Sequence, residues 1–308
     1  MTMSSREWGQ GQPLIALHPL GLESSAFEGL GNALAEEGVR TIAVDLPGFG
    51  ATPAPGGRLT PAVLAEPVLS LARELEPRPV LLGYSMGGRV ALEAILSEPE
   101  SFRSAIILAP HLPWTRFRWA TPLANLMSPE LAERVPIEML WPLLKWVAHE
   151  LQTLPLLKDD SVAQAGVRLI YYMSCPATRA SIVSAAREMA LDPAEGPQAL
   201  WTRLALLALP TTFIWGERDR MVPLRFAYKV AKVAPQARQI SLPCVSHAMN
   251  GPHCRCLAAL VAWLLSAEHV IDAEHPPLPG VYQPPGAPFE SAPCQVDGAP
   301  GALSEAPA

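Results

Sequence analysis

The sequence predicts an α/β fold in which a mostly parallel sheet is flanked by helices. Short runs rich in Val, Ile and Leu alternate with stretches of helical periodicity. The short runs are apolar at successive positions, which is typical of strands buried on both faces in a parallel sheet. Of the 308 residues, 49% are hydrophobic, so the chain is long enough to bury a large core.

The first half of the chain alternates regularly between strand and helix. Strands are predicted at 13–18, 40–44, 79–83 and 104–109. Helices are predicted at 27–37, from Pro61 to about 75, and at 90–96. Gly38 is predicted to end the first helix, and Thr60 followed by Pro61 is predicted to open the second, because proline is favoured in the first turn.

The alternation stops after Pro110 and resumes near residue 205. The intervening block contains predicted helices at 129–135, 137–151, 162–173, 177–191 and 198–207. It is followed by strands at 211–215 and 237–242 and helices at 224–234 and 252–266. A helical insert in an α/β chain indicates a cap over the sheet. The predicted organisation is a core of 1–110 and 205–270, an inserted helical cap of 111–204, and a disordered Pro/Ala/Gly-rich tail of 271–308.

Composition excludes several classes of function. The net charge is −6 and no basic block is present, which argues against nucleic-acid binding. The five cysteines are scattered, and the spacing of Cys254 and Cys256 is not that of a zinc site, so neither a disulfide framework nor a metal site is expected. No organic cofactor is expected either. The N-terminus is polar, and the longest apolar run, 257–265, is too short to span a bilayer. We expect a cytoplasmic enzyme acting on a small molecule, with its oligomeric state open.

A glycine-bracketed serine lies where the third predicted strand meets its helix. The segment 83–87 reads Gly-Tyr-Ser-Met-Gly and fits the G-x-S-x-G pattern of a nucleophile elbow. The serine of such a turn adopts a sparsely populated backbone conformation, and glycines two residues away remove side chains that would collide with the neighbouring strand or helix. The turn exposes the hydroxyl, while the helix N-terminus offers free N–H groups to an anion. The alternative is a glycine-rich turn without chemistry.

Two further residues could activate the Ser85 hydroxyl. A serine hydroxyl is a weak nucleophile, so a neighbouring imidazole must take its proton. His247 follows the last predicted strand and Asp219 follows the strand at 211–215, so both fall at the sheet edge that carries Ser85. Glu217 and Asp192 compete with Asp219 as the acid, although Asp219 is preferred.

Four separated segments of the chain resemble the α/β-hydrolase fold with a helical cap. They are 18–21, 45–50, the elbow at 83–87, and the loops of Asp219 and His247. The resemblance implies that Ser85 is the nucleophile, His247 the base and Asp219 the acid. It also implies that the backbone N–H groups of Leu20 and Met86 form the oxyanion hole.

Other residues receive supporting roles. His18 is expected to brace the oxyanion loop and Asp45 to stabilise a turn, while His111 and His253 could approach the cleft. The family begins with two antiparallel strands, but little chain precedes residue 13. We therefore expect six main strands, with at most a remnant near Trp8.

A serine nucleophile argues against the dehalogenase and epoxide-hydrolase branches of the family, which need a carboxylate. The sequence predicts a carboxylesterase-like serine hydrolase that cleaves an ester of a small to medium apolar substrate through an acyl-enzyme. The Trp-, Leu- and Met-rich cap favours an apolar group. The alternatives are a C–C bond hydrolase of a dienoic ketone acid, a cofactor-free perhydrolase, a thioesterase, or a non-catalytic ligand-binding protein.

Overall fold

A computed structural model gives the positions of most of the core. It describes residues 2–113, 124–126, 128–134, 146, 172–173, 175–243, 245–247, 249 and 254–265. The predicted helices at 137–151 and 162–173 lie almost wholly outside the described residues, and the predicted tail at 271–308 lies entirely outside them.

Seven strands of the described residues form one sheet. They are β1 (Ser5–Trp8), β2 (Gln12–Leu17), β3 (Val39–Val44), β4 (Val80–Tyr84), β5 (Ser104–Leu108), β6 (Thr211–Gly216) and β7 (Arg238–Leu242). The order is β1-β3-β2-β4-β5-β6-β7. β1 is antiparallel to β3, and every other pairing is parallel. The predicted parallel sheet of six main strands is confirmed, with the short β1 as the remnant near Trp8.

The described helices are α1 (Glu28–Glu36), α2 (Pro61–Arg73), α3 (Met86–Ser97), α4 (Pro129–Arg134), α5 (Pro176–Ala190), α6 (Leu200–Leu204), α7 (Arg225–Val233) and α8 (Cys254–Leu265). The predicted start of α2 is confirmed, because the Thr60 hydroxyl accepts a hydrogen bond from the backbone N–H of Val63 at 3.2 Å. Among the described residues, no helix is both long enough and apolar enough to cross a membrane.

The direction of each crossover places the helices on two faces of the sheet. From β2 the chain moves to one side, through α1 to β3, and then returns through α2 to β4 and continues through α3 to β5. Because such crossovers are right-handed, α1 lies on one face, with α2 and α3 on the other. The central strands are buried on both sides, and Ile15 and Leu81, which pair in register, have no exposed surface.

The predicted start of α3 at residue 90 is wrong, since the helix begins at Met86, directly after Ser85. Gly87 and Gly88 have low helix propensity, which is why the sequence placed the start later. In the structure these glycines allow the first turn to pack closely against neighbouring backbone, and that packing outweighs propensity.

Helix α5 falls in the block predicted as a cap and is tied to a core loop. Arg58 forms a two-pronged ion pair with Glu188, with N···O distances of 2.8 and 2.6 Å. The Ser184 hydroxyl accepts a hydrogen bond from the backbone N–H of Leu59 at 3.1 Å. Helices α4, α5 and α6 match three of the predicted helices, while the division into core, cap and tail stays a prediction.

Candidate active site

Ser85 occupies a strained turn between β4 and α3. Its φ of 52° and ψ of −111° lie in a region that residues other than glycine rarely adopt. The backbone is held there because its N–H donates to Leu108 O at 2.9 Å, and its carbonyl accepts from the N–H groups of Arg89 at 3.1 Å and His111 at 2.9 Å. The sparsely populated conformation expected of an elbow serine is confirmed.

The two elbow glycines are required by close approach of backbone segments. A Cβ at Gly83 would lie 2.5 Å from the carbonyl oxygen of Gly87 and 2.8 Å from the Cα of Gly88. A Cβ at Gly87 would lie 2.1 Å from Leu17 O and 2.8 Å from His18 O. The first turn of α3 therefore lies against the end of β2, where the His18 loop begins.

The side chains of Ser85, His247 and Asp219 form one hydrogen-bonded chain. His247 Nε2 lies 3.1 Å from Ser85 Oγ, and His247 Nδ1 lies 2.7 Å from Asp219 Oδ2. Asp219 Oδ1 accepts from the backbone N–H groups of Met221 at 2.8 Å and Val222 at 2.7 Å. This pattern makes Nδ1 the protonated nitrogen and leaves Nε2 to accept the serine proton.

The loop that carries His247 is held from two sides. On the Asp219 side, Val245 O accepts from the N–H of Arg218 at 3.0 Å, and a Cβ at Gly216 would lie only 2.4 Å from Val245 O. On the elbow side, the phenol of Tyr84 donates to the carbonyl oxygen of His247. Tyr84 was not among the predicted site residues, although a buried tyrosine requires a partner for its hydroxyl and this one directly precedes the serine.

His18 braces the loop that follows β2, as predicted. Its Nε2 accepts from the backbone N–H of Leu46 at 3.1 Å, and its Nδ1–H donates to Pro19 O at 2.9 Å. The N–H of Leu22 also donates to Pro19 O, at 3.2 Å, which closes the turn. Burial lowers the pKa of His18 to about 4, so the ring is neutral at pH 7.

Asp45 stabilises a turn, which confirms its predicted role. Its two carboxylate oxygens accept from the backbone N–H groups of Ser24 at 2.8 Å and Ala51 at 2.9 Å. Both oxygens are therefore occupied by backbone donors.

The two competitors of Asp219 have other partners. Glu217 accepts from the Ser241 hydroxyl at 2.9 Å at an exposed position. Asp192 pairs with Arg89 Nε at 2.6 Å. Of the three acids, Asp219 is the one that contacts His247.

A partly buried cluster of charges next to the elbow was also not predicted from the sequence. Arg89 on α3 binds Asp192 after α5 and, at 2.9 Å, Glu93, which in turn binds Arg203 on α6 at 2.7 Å. Burial opposes the charge on Arg89, but hydrogen bonds and charges from Asp192 and Glu93 outweigh it and raise its pKa. For Glu93 burial is likewise outweighed, by Arg89 and Arg203, and its pKa is lowered. The sequence feature that could have indicated this cluster is the placement of Arg89 and Glu93 four residues apart in an otherwise apolar helix.

The backbone N–H of His111 donates to Ser85 O at 2.9 Å, whereas His253 lies outside the described residues. The imidazole Nε2 of His111 is 3.3 Å from Met189 O. Burial lowers the pKa of His111, and this outweighs the opposing effects of the hydrogen bond to Met189 O and of the charge on Asp192. Within the described part of the chain, no three His, Cys, Asp or Glu side chains are grouped so that they could hold a metal ion.

Two curated relatives share a name. The pimeloyl-[acyl-carrier protein] methyl ester esterase of Edwardsiella ictaluri (strain 93-146) is 28% identical over 236 residues, which cover 76% of this chain and 86% of the relative. The protein of the same name from Aeromonas hydrophila subsp. hydrophila is 39% identical over 110 residues, 35% of this chain and 42% of the relative.

Solved structures match the fold over most of the chain. A thermophilic esterase from Thermogutta terrifontis superposes with a TM-score of 0.66 at 21% identity, covering 85% of this chain and 92% of that one. An esterase from Exiguobacterium antarcticum gives 0.65 at 22% identity, covering 86% and 96%. The model of the alpha/beta hydrolase family matches residues 14–255, most of the chain, and the sheet order agrees with the predicted fold. The chain belongs to the alpha/beta hydrolase family.

Proposed function

We propose that this protein is a serine hydrolase that cleaves carboxylic esters through an acyl-enzyme. Ser85 is the nucleophile, His247 the general base and acid, and Asp219 the group that orients the imidazole. The observation that carries the proposal is the unbroken hydrogen-bonded chain from Asp219 Oδ2 through His247 to Ser85 Oγ. It lies at an elbow whose strained geometry presents the hydroxyl.

Acylation begins when Ser85 Oγ attacks the ester carbonyl carbon and His247 Nε2 takes the hydroxyl proton. The imidazolium that forms is stabilised by Asp219, whose carboxylate is fixed by two backbone N–H groups. The carbonyl oxygen becomes an oxyanion, for which the N–H groups of Leu20 and Met86 are the proposed donors. Contact between the start of α3 and the end of β2 supports this pairing, because it brings the two loops together.

The tetrahedral intermediate then collapses. The bond to the alcohol oxygen breaks, His247 protonates the departing alcohol, and the acyl group stays on Ser85 Oγ. Deacylation repeats these steps with water: His247 removes a proton from the water, the oxygen attacks the acyl carbon, and Ser85 recovers its proton as the acid leaves.

The proposed substrate is a carboxylic ester of small to medium size with an apolar acyl or alcohol group. The curated relatives are named for hydrolysis of a methyl ester, which supports an alkyl ester as the bond that is cleaved. The aromatic content of the predicted cap is weaker support. Trp201 stacks on Phe226 with ring centroids 6.4 Å apart and donates to Pro113 O, so it serves packing.

A substrate panel tests this function. The purified protein is assayed with p-nitrophenyl esters of increasing acyl length, a methyl ester, an acyl thioester and a dienoic ketone acid. We expect ester turnover to dominate, to vanish in Ser85→Ala, and to be unchanged in the control Ser97→Ala, which alters an exposed serine at the far end of α3. Faster cleavage of the ketone acid than of every ester would favour the C–C hydrolase instead.

A further inference from the structure

We propose that Tyr84 is a positioning residue that holds the His247 loop in register with Ser85. The inference rests on the proposed function, since it assigns Tyr84 a part in keeping the proposed base beside the nucleophile. The tyrosine does not touch the reacting atoms, and it acts through the main chain of His247.

Tyr84 reaches the His247 loop directly. It is the last residue of β4, its side chain is buried, and its hydroxyl donates to the carbonyl oxygen of His247. The same hydroxyl oxygen accepts from the backbone N–H of Met249 at 3.4 Å. The rings of Tyr84 and His247 are tilted against each other with centroids 5.6 Å apart. One side chain thus contacts the loop at the histidine and again two residues after it.

The contact matters because the described part of the His247 loop, residues 245–247 and 249, has no helix or strand hydrogen bonds of its own. Its tie through Val245 to Arg218 fixes it to the Asp219 side. Tyr84 supplies the tie to the Ser85 side. Because residues 84 and 85 are consecutive, the phenol connects the His247 backbone to the segment that carries Oγ, where the Nε2···Oγ distance is 3.1 Å.

The chemistry of the group suits a permanent tie. Burial raises the pKa of the Tyr84 phenol, so the hydroxyl stays protonated and able to donate throughout the neutral and mildly alkaline range. A phenylalanine would fill the same volume but leave the His247 carbonyl and the Met249 N–H without this partner. Removal of the Tyr84 hydroxyl oxygen therefore separates the contribution of the ring to packing from the contribution of the hydrogen bonds to the position of His247.

The experiment compares Tyr84→Phe with wild type and with the matched control Tyr228→Phe, which removes the hydroxyl of an exposed tyrosine on α7. With p-nitrophenyl acetate, kcat of Tyr84→Phe should fall ~10–100-fold, because a small displacement of a catalytic group is costly, while KM changes less than about 2-fold. Labelling of Ser85 by a fluorophosphonate should reach the same final extent but slow in parallel with kcat. The control should match wild type.

Three results would overturn the inference. The first is an unchanged kcat in Tyr84→Phe, which would make the tyrosine a packing residue. The second is a kcat loss accounted for by a smaller fraction of protein that the fluorophosphonate can label, which would indicate damage to folding. The third is wild-type protein that neither labels at Ser85 nor hydrolyses esters, which alone of the three overturns the proposed function as well.

Discussion

Two loops at the same edge of the sheet each present a buried histidine, and the two rings differ in their partners. His18 directly follows β2 and hydrogen-bonds to main-chain groups, the N–H of Leu46 and the carbonyl of Pro19. His247 follows β7 and hydrogen-bonds to two side chains, Asp219 and Ser85. Amide groups neither give up nor accept protons at neutral pH, whereas a hydroxyl beside a neutral imidazole can transfer one. Burial is common to both histidines, and it is their partners that distinguish the brace from the proposed base.

The same contrast separates two aspartates. Asp45 follows β3 and Asp219 follows β6, and both are buried. Backbone N–H groups occupy both oxygens of Asp45, whereas they occupy one oxygen of Asp219 and leave Oδ2 for His247. A carboxylate closed off by the main chain stabilises a turn, and one with an open oxygen can orient an imidazole.

The largest expected effect separates the two histidine loops directly. Ser85→Ala or His247→Ala should lower kcat by ~10⁴–10⁶, because the proposed nucleophile and base act as a unit. His18→Gln, whose amide can still accept from Leu46 and donate to Pro19, should retain most of the activity of the folded protein. Steady-state kinetics on p-nitrophenyl acetate measure all three. Equal losses of kcat in His247→Ala and His18→Gln would contradict the assignment of different roles to the two histidines.

The aspartates should differ in which property they change. Asp219→Asn should reduce kcat by ~10³–10⁴, because the amide favours the wrong tautomer of His247. Asp45→Asn should instead lower the free energy of unfolding by ~1–3 kcal/mol, since one backbone N–H loses its acceptor. Kinetics and urea denaturation of both variants provide the test, and a large kcat loss in folded Asp45→Asn would contradict it.

Gly87→Ala tests whether the elbow depends on the His18 loop for its geometry. The added Cβ would meet Leu17 O at 2.1 Å and push the start of α3 away from β2. Loss of one proposed oxyanion donor predicts a kcat reduction of ~10²–10³. Gly196→Ala is a control, because a Cβ there meets nothing within 4 Å, although its φ of 113° adds backbone strain. An active Gly87→Ala enzyme would argue against Met86 as a donor.

The last prediction concerns stability rather than activity, through the titration of His18. The pKa of His18 falls from 6.5 to about 4 on folding, so the unfolded state binds more protons between these values. Stability from the neutral ring is complete above pH 6.5 and is lost as the pH falls toward 4, by on the order of 3 kcal/mol. His18→Gln removes this titration. Between pH 7 and pH 4, urea denaturation should show that the free energy of unfolding declines less steeply for His18→Gln than for wild type. If the free energies of the two proteins declined equally with pH, the proposed neutral, buried state of His18 would be contradicted.

Periodicity and glycine placement were sufficient to predict the sheet, because buried parallel strands read as continuous apolar runs and the elbow requires small residues at fixed positions. The start of α3 was mispredicted because helix propensity says nothing about the close contact of Gly87 with β2. A contact between residues that lie far apart in the chain is only weakly indicated by the residues next to either of them.

The choice among Asp219, Glu217 and Asp192 needed the structure. All three are acids in loops, and their roles depend on which backbone groups and cations meet them. Asp192 is neutralised by Arg89, 103 positions earlier in the chain, a pairing that no local pattern indicates. Tyr84 was overlooked for the same reason, since its partner is His247, 163 positions away.

The most direct test of the central claim is the site of reaction with a fluorophosphonate. The proposed arrangement predicts one stoichiometric adduct, located by peptide mass spectrometry on the peptide that contains Ser85. It also predicts loss of esterase activity in step with labelling, and slow or absent labelling in His247→Ala. An adduct on another serine, or full esterase activity in protein whose Ser85 is blocked, would contradict it.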